Sequence, residues 1–169
     1  MINAAIMLIF PLCLAIAAFS DLLTMTIPNR VSVALIGSFL LLAPLAGLGW
    51  VDIGWHLAAG LAVFIFCFAL FALNIMGGGD AKLLTASAIW FGLDPSLVDY
   101  VVWVSIFGGA LSLVVLLLRS QTGMFVTSGI RLPKTLQNAK KVPYGVAIGL
   151  AAFLTYPNSP LMMLITTKS

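Results

Sequence analysis

Residues 55–83 read WHLAAGLAVFIFCFALFALNIMGGGDAKL, and they decide the fold. From Trp55 to Met76 no Lys, Arg or acid interrupts the apolar run. A bilayer span needs about 20 such residues. The run then stops at Gly77-Gly78-Gly79-Asp80. Comparable stretches lie near 3–20, 31–49, 81–93, 97–118 and 143–165, of which the fourth span, 81–93, is short. The expectation is an all-α polytopic membrane protein of about six transmembrane helices. Residues 1–169 then form a single membrane-embedded domain with no soluble domain. Pro28, Pro95 and Pro143 fall near boundaries, where a missing N–H is tolerated. Pro44 and Pro157 fall inside the second and sixth spans and are expected to kink or end them.

Composition agrees with a membrane protein. The chain is 62% hydrophobic and 8% charged, with a mean hydropathy of +1.18. A soluble domain is nearer half apolar and a quarter charged. The net charge of +3 does not point to nucleic acid, because the few basic residues sit in loops. Cys13 and Cys67 lie inside apolar runs without metal-ligand spacing, so they read as small buried hydrophobes. No metal or cofactor is expected. The first apolar stretch ends in Ala17-Ala18-Phe19-Ser20, as a signal peptide does, but no Lys or Arg precedes it. It reads as a retained first span.

Six spans leave two faces. One carries Arg30, Lys82, Arg119, Arg131, Lys134, Lys140 and Lys141, and the other carries Lys168 with Asp52, His56, Asp94 and Asp99. The basic excess marks the cytoplasmic side, so both termini are expected outside it. Asp21 and Asp80 then fall at the same, cytoplasmic, level. The segment from Arg119 to Val142 holds five of the eight basic residues among Met124, Phe125, Val126 and Ile130. It suits an interfacial segment against anionic headgroups, or a plain positive-inside loop.

The acids carry the chemistry. The chain has no Glu and five Asp. A carboxylate at the end of a hydrophobic helix is costly and marks a candidate site. Two of them at one level suggest shared acid and base work on water. Asp80 follows three glycines, which loosen a helix and let another backbone approach closely. Alone, it also reads as the N-cap of the next helix. Lys82 is a cation beside it, or a snorkelling anchor. Asp21 precedes Ile27-Pro28-Asn29, where Pro28 fixes a turn and Asn29 suits a cap for the second span. Pro143-Tyr144-Gly145 at the start of the sixth span would leave backbone groups free near the site, with Tyr144 also suited to an interfacial anchor.

In these three segments the chain resembles the type IV prepilin peptidases, a GxGD class of intramembrane aspartyl protease. The matching residues are Asp21 with Pro28-Asn29, Gly77-Gly78-Gly79-Asp80 with Lys82, and Pro143-Tyr144-Gly145. The resemblance implies a hydrolase with Asp21 and Asp80 as the catalytic pair. It would remove the leader of prepilins at the cytoplasmic face of a bacterial inner membrane. The compact length resembles the TadV/CpaA type, which processes Flp-type pilins of tight-adherence systems. Larger members add a cytosolic segment, often with four zinc-binding cysteines, and methylate the new N-terminus. This chain has two cysteines, so N-methylation is not expected. The implied partners are prepilin or pseudopilin substrates and the lipid bilayer. Three alternatives stand beside this reading: a non-enzymatic subunit of a pilus or secretion complex, an ion or proton path, and a related preflagellin or signal-peptide-type GxGD protease. Paths usually place their acids near the bilayer midplane, whereas both acids here sit at one interface.

Overall fold

Ile6, Phe10, Leu14, Ala17 and Asp21 recur every three or four residues, so they lie on one face of α1 (Ile2–Thr24) and are buried there. A computed structural model of the chain describes residues 2–120 and 142–167. Its helices continue as α2 (Asn29–Leu45), α3 (Trp50–Ala72), α4 (Gly78–Ala88), α5 (Pro95–Ser120), α6 (Tyr144–Thr155) and α7 (Pro160–Thr167). The chain is all-α, as the hydropathy predicts. Most of the basic segment expected at the interface, residues 121–141, lies outside the described residues, as does Lys168.

Among the described residues, α1, α3 and residues 95–118 of α5 are each long and apolar enough to cross a bilayer. The pair α6 and α7 makes a fourth candidate, bent by 41° at residues 156–159. Pro157 sits in a 3-10 turn at that bend, so the proline does break the sixth span. Pro44 lies in the last turn of α2, one residue before its end at Leu45. Two further helices of the bundle are shorter than these. Helix α2 has 17 residues and α4 has 11. At about 1.5 Å per residue, α4 rises only about half the thickness of a hydrocarbon core.

Helix α4 is short because it is interior. Ala81, Leu83, Leu84, Ala86, Ser87 and Ala88 are buried, and α2, α3 and α6 pack around it. The chain then turns through Ile89, Trp90 and Phe91, all buried, and leaves at Gly92, whose φ of +70° favours glycine. Close packing on α4 depends on small residues. A Cβ on Gly60 of α3 would stand 2.5 Å from Ile89 Cγ1. Helices α1 and α6 approach in the same way, with Gly149 facing Ala18 and the backbone of Leu14.

The aromatic core follows α4. Phe10 lies 5.1 Å from Trp90 and 4.1 Å from Tyr156, centroid to centroid, and Phe91 stacks on Tyr100 at 4.5 Å. The polar tips of three of these rings find partners. Trp90 Nε1 donates to Leu35 O at 3.1 Å, Tyr156 Oη donates to Ile6 O at 3.0 Å, and the Tyr100 and Ser87 hydroxyls pair at 2.7 Å. In a dry interior these bonds remove the cost of burying the ring polar groups.

Two ends result. Asn3 Nδ2 donates to Ile165 O at 3.4 Å, so the start of α1 and the end of α7 share one end. The other gathers the α1–α2 turn, the approach to α4 and the start of α6.

Candidate active site

The motif acids both sit in helices rather than in loops. Asp21 was expected beyond the first span, yet α1 continues to Thr24. The polar residues after Phe19 do not end the helix: Thr24 Oγ1 donates back to Ser20 O at 2.8 Å, and Met25 N to Asp21 O. Asp21 therefore completes the inward stripe and is 5% exposed. Its Oδ2 accepts the main-chain N–H of Gly145 at 2.7 Å.

Gly145 is the second residue of α6, whose N-cap is Pro143. The first-turn N–H groups of a helix have no intrahelical acceptor, and a carboxylate is a favoured partner for them. Among the described residues Val142 and Pro143 precede the helix, and Tyr144 already begins α6. A Cβ on Gly145 would lie 2.9 Å from both Asp21 Cβ and Asp21 Oδ2. Tyr144 packs against α5. Its ring covers Gly108 of α5, and its hydroxyl pairs with that of Ser112 at 3.1 Å. Nothing in the local sequence around 108–112 announces this latch between α5 and α6.

Asp80 lies in the first turn of α4, after Gly78 and Gly79. The N-cap is Gly77, with φ −71° and ψ 142°, rather than Asp80 itself. The glycines do not break the helix. They begin it, and their lack of side chains is used for close approach. A Cβ on Gly77 would stand 2.7 Å from Asp80 Oδ2, and one on Gly78 3.2 Å from Phe71 Cε2. Gly79 faces Ile27, 3.4 Å from where its Cβ would be. Asp80 is half-buried, and an acid at this position is favoured by the helix dipole.

The α1–α2 turn ties these pieces together. Pro28 is the N-cap of α2, and its carbonyl accepts from Val31 N at 3.0 Å. Asn29 does not cap. Its Oδ1 accepts from Lys82 Nζ at 3.2 Å, across the rim from α4. Ile27 against Gly79, Asn29 against Lys82, and Asp21 against Gly145 bring all three motif segments to one end of the bundle. Ile27 was named only as part of its motif, and its contact with Gly79 is a further link that sequence does not reveal. Among the described residues, no three His, Cys or acidic side chains are grouped to hold a metal ion.

A cleft of about 340 Å³ opens beside this end. Phe66 and Leu70 of α3, Leu84 of α4, Val104 and Gly109 of α5, and Tyr144 of α6 are among its walls. Ile75 and Met76, just before the glycines, also line it. The cleft is largely apolar, and Met76 and Tyr144 in its wall adjoin Gly77 and Gly145 in the chain.

Apolar helices of bilayer length around a polar, glycine-lined end define a membrane protein with a buried acid at one end of its helix bundle. The model of the type IV leader peptidase family matches residues 8–127, and the chain belongs to that family. It is a leader-peptidase-type protease. The matched stretch contains the Asp21 and Asp80 segments and stops before Pro143. Neither curated proteins nor solved structures provide a match.

Proposed function

We propose that this protein is a membrane aspartyl endopeptidase that removes the leader peptide of type IV or Flp-type prepilins at the cytoplasmic membrane face. Asp21 and Asp80 form its catalytic pair. The observation that carries this reading is the buried, oriented carboxylate of Asp21. It is held by Gly145 N at the same end of the bundle as Gly77-Gly78-Gly79-Asp80. A structural acid at a helix end has no need of such burial.

Two carboxylates that share a site hold one proton between them, because like charges at close range disfavour double ionisation. The ionised member takes a proton from a water, and the hydroxide so formed bonds to the scissile carbonyl carbon. The protonated member supports the developing oxyanion. The C–N bond then breaks, and the leaving amine takes up the proton. Water is divided between the new carboxylate and the new amine. Gly77, Gly78 and Gly79 let Asp80, Phe71 and Ile27 close onto the start of α4, which seats Asp80 at this end of the bundle. Lys82 and Asn29 form the rim, where Lys82 is exposed. The apolar segment of the substrate fits the cleft between α3 and α5, and its basic leader stays in the cytoplasm.

The reading is tested by co-expression with a prepilin, with leader removal scored by mass. Asp21→Asn and Asp80→Asn each keep the side-chain shape and remove a titratable group. Each is expected to abolish cleavage and leave membrane insertion unchanged. Cleavage at the native rate in either variant would overturn the assignment.

A further inference from the structure

At the end opposite Asp21 and Asp80, a cavity of about 470 Å³ is lined by side chains that the peptidase reading does not use. Asp52 and Trp55 come from the first turns of α3, Asp94 from the turn before α5, and His56 from the wall between them. Leu48, Phe91 and Leu164 add apolar surface.

His56 gives the cavity its direction. The ring is 5% exposed and stacks on Phe39 at 5.1 Å. Its Nδ1 lies 2.7 Å from Ile89 O. A carbonyl oxygen only accepts, so Nδ1 carries the proton, and in the neutral ring Nε2 presents a lone pair. Gly92 lies over the ring face, where a Cβ would stand 3.0 Å from both Cε1 and Nε2 and 3.1 Å from Cδ2. Gly92 and His56 both line the cavity, and the glycine leaves this face of the ring uncovered by a side chain.

The wall thus offers acceptors. Two carboxylates and His56 line a space that has no Lys or Arg among its described lining residues. Of the described basic side chains, Arg30 and Lys82 belong to the other end, at the start of α2 and in α4. Asp94 Oδ1 already accepts from Ser96 N at 2.9 Å, which fixes its carboxylate at the rim. The Trp55 indole adds an aromatic surface that favours cations. A complementary ligand carries positive charge and several N–H donors on a short carbon stem.

We propose that this cavity is a binding site for a primary ammonium group. Its three N–H bonds go to Asp52, Asp94 and His56 Nε2, and its carbon stem lies on the apolar wall. A quaternary ammonium of equal charge would leave Nε2 without a donor. The same chemistry reaches this end from two sources, an ethanolamine lipid headgroup or a soluble amine.

The test uses the full-length protein freed of native lipid in detergent. Binding of dioleoylphosphatidylethanolamine, dioleoylphosphatidylcholine and putrescine is measured by native mass spectrometry and by titration. Charge-assisted hydrogen bonds set the expected preference for primary over quaternary ammonium at about tenfold or more. Asp52→Asn with Asp94→Asn is expected to abolish that preference. Asparagine still caps a helix, so the fold should persist. The single change Asp52→Asn, at an exposed site, is expected to weaken binding severalfold and covers the case in which the double variant fails to fold. A saturable preference for the ethanolamine lipid supports the site with a lipid source. Saturable putrescine binding without that preference supports it with a soluble source. Equal binding of both lipids without saturable putrescine binding, or affinity unchanged by Asp52→Asn, overturns it.

Discussion

The main-chain N–H of Gly145 donates to Oδ2 of Asp21 at 2.7 Å, joining residues 124 positions apart. The bond fixes which way the carboxylate faces, and the glycine admits it. A Cβ at position 145 would sit 2.9 Å from Asp21 Cβ, a separation that real Cβ atoms essentially never show. Gly145→Ala must therefore push α1 and α6 apart or turn Asp21 away. Misplacing a reacting group by about 1 Å commonly costs about a hundredfold in rate. The expected result is a kcat for leader cleavage lowered by about that factor, with insertion unchanged. Kinetics on a synthetic prepilin in detergent would check it.

The latch beside this bond gives a graded counterpart. Tyr144→Phe removes the hydroxyl that pairs with Ser112 and keeps the ring over Gly108. The pair is half-buried, so its loss is expected to cost about 1 kcal/mol. Thermal unfolding should shift by a few degrees, and cleavage should persist. A loss of activity as large as that of Gly145→Ala would give the hydroxyl a role in the reaction.

Glycines on α3 separate packing from propensity. Gly60→Ala places a methyl 2.5 Å from Ile89 Cγ1 and 3.7 Å from Thr85 O, so α3 and α4 must shift or Ile89 must leave its rotamer. Overpacking of this kind costs about 1–3 kcal/mol. Gly54→Ala, one and a half turns earlier, meets nothing within 4 Å. It is expected to be neutral, or stabilising by up to about 1 kcal/mol through helix propensity. Melting temperatures of the two variants in one detergent should fall on opposite sides of, or at most equal to, the parent value.

What the sequence displayed, and what it hid, divides by range. The long apolar runs and the positions of Pro143 and Pro157 are local signals, and the helices follow them. Helix ends were harder to read. Trp50, Val51 and Asp52 look like loop after Gly47-Leu48-Gly49, yet they form the first turn of α3, where an acid is favoured. Asp21 looks like an interfacial residue after Ser20. The stripe Ile6, Phe10, Leu14, Ala17 already places it on the buried face, because its spacing continues the helical period. Helix α4 misleads most. Its hydrophobicity resembles a span, but it is enclosed by other helices, and only three-dimensional packing tells a core helix from a lipid-facing one. The Gly145–Asp21 and Asn29–Lys82 contacts cross 124 and 53 residues, so no window along the chain contains them.

The Asn29–Lys82 bond lies on the exposed rim at 3.2 Å. Exposed polar pairs contribute little to stability, about 0.5 kcal/mol or less. Lys82→Met should leave the melting temperature nearly unchanged. Any effect belongs to substrate, and it is expected to appear in KM with a prepilin rather than in kcat. A fall in melting temperature of several degrees would instead make the pair structural.

Gly109 tests where the apolar part of the substrate lies. It lines the cleft between α3 and α5, and a Cβ built on it meets nothing within 4 Å. The Cβ of Gly109→Leu enters open space, and the rest of the side chain extends toward the cleft. The variant should fold with unchanged or slightly higher stability, since glycine is a poor helix former. If the hydrophobic segment of a prepilin docks there, the added side chain takes its place. KM for a full prepilin should rise about tenfold or more, the equivalent of one lost apolar side-chain contact of roughly 1.5 kcal/mol. A short peptide spanning only the cleavage point does not reach the cleft, and its cleavage should be unaffected. Equal effects on both substrates would place the helix elsewhere on the bundle, and a full prepilin processed at the parental KM would exclude the cleft as its path.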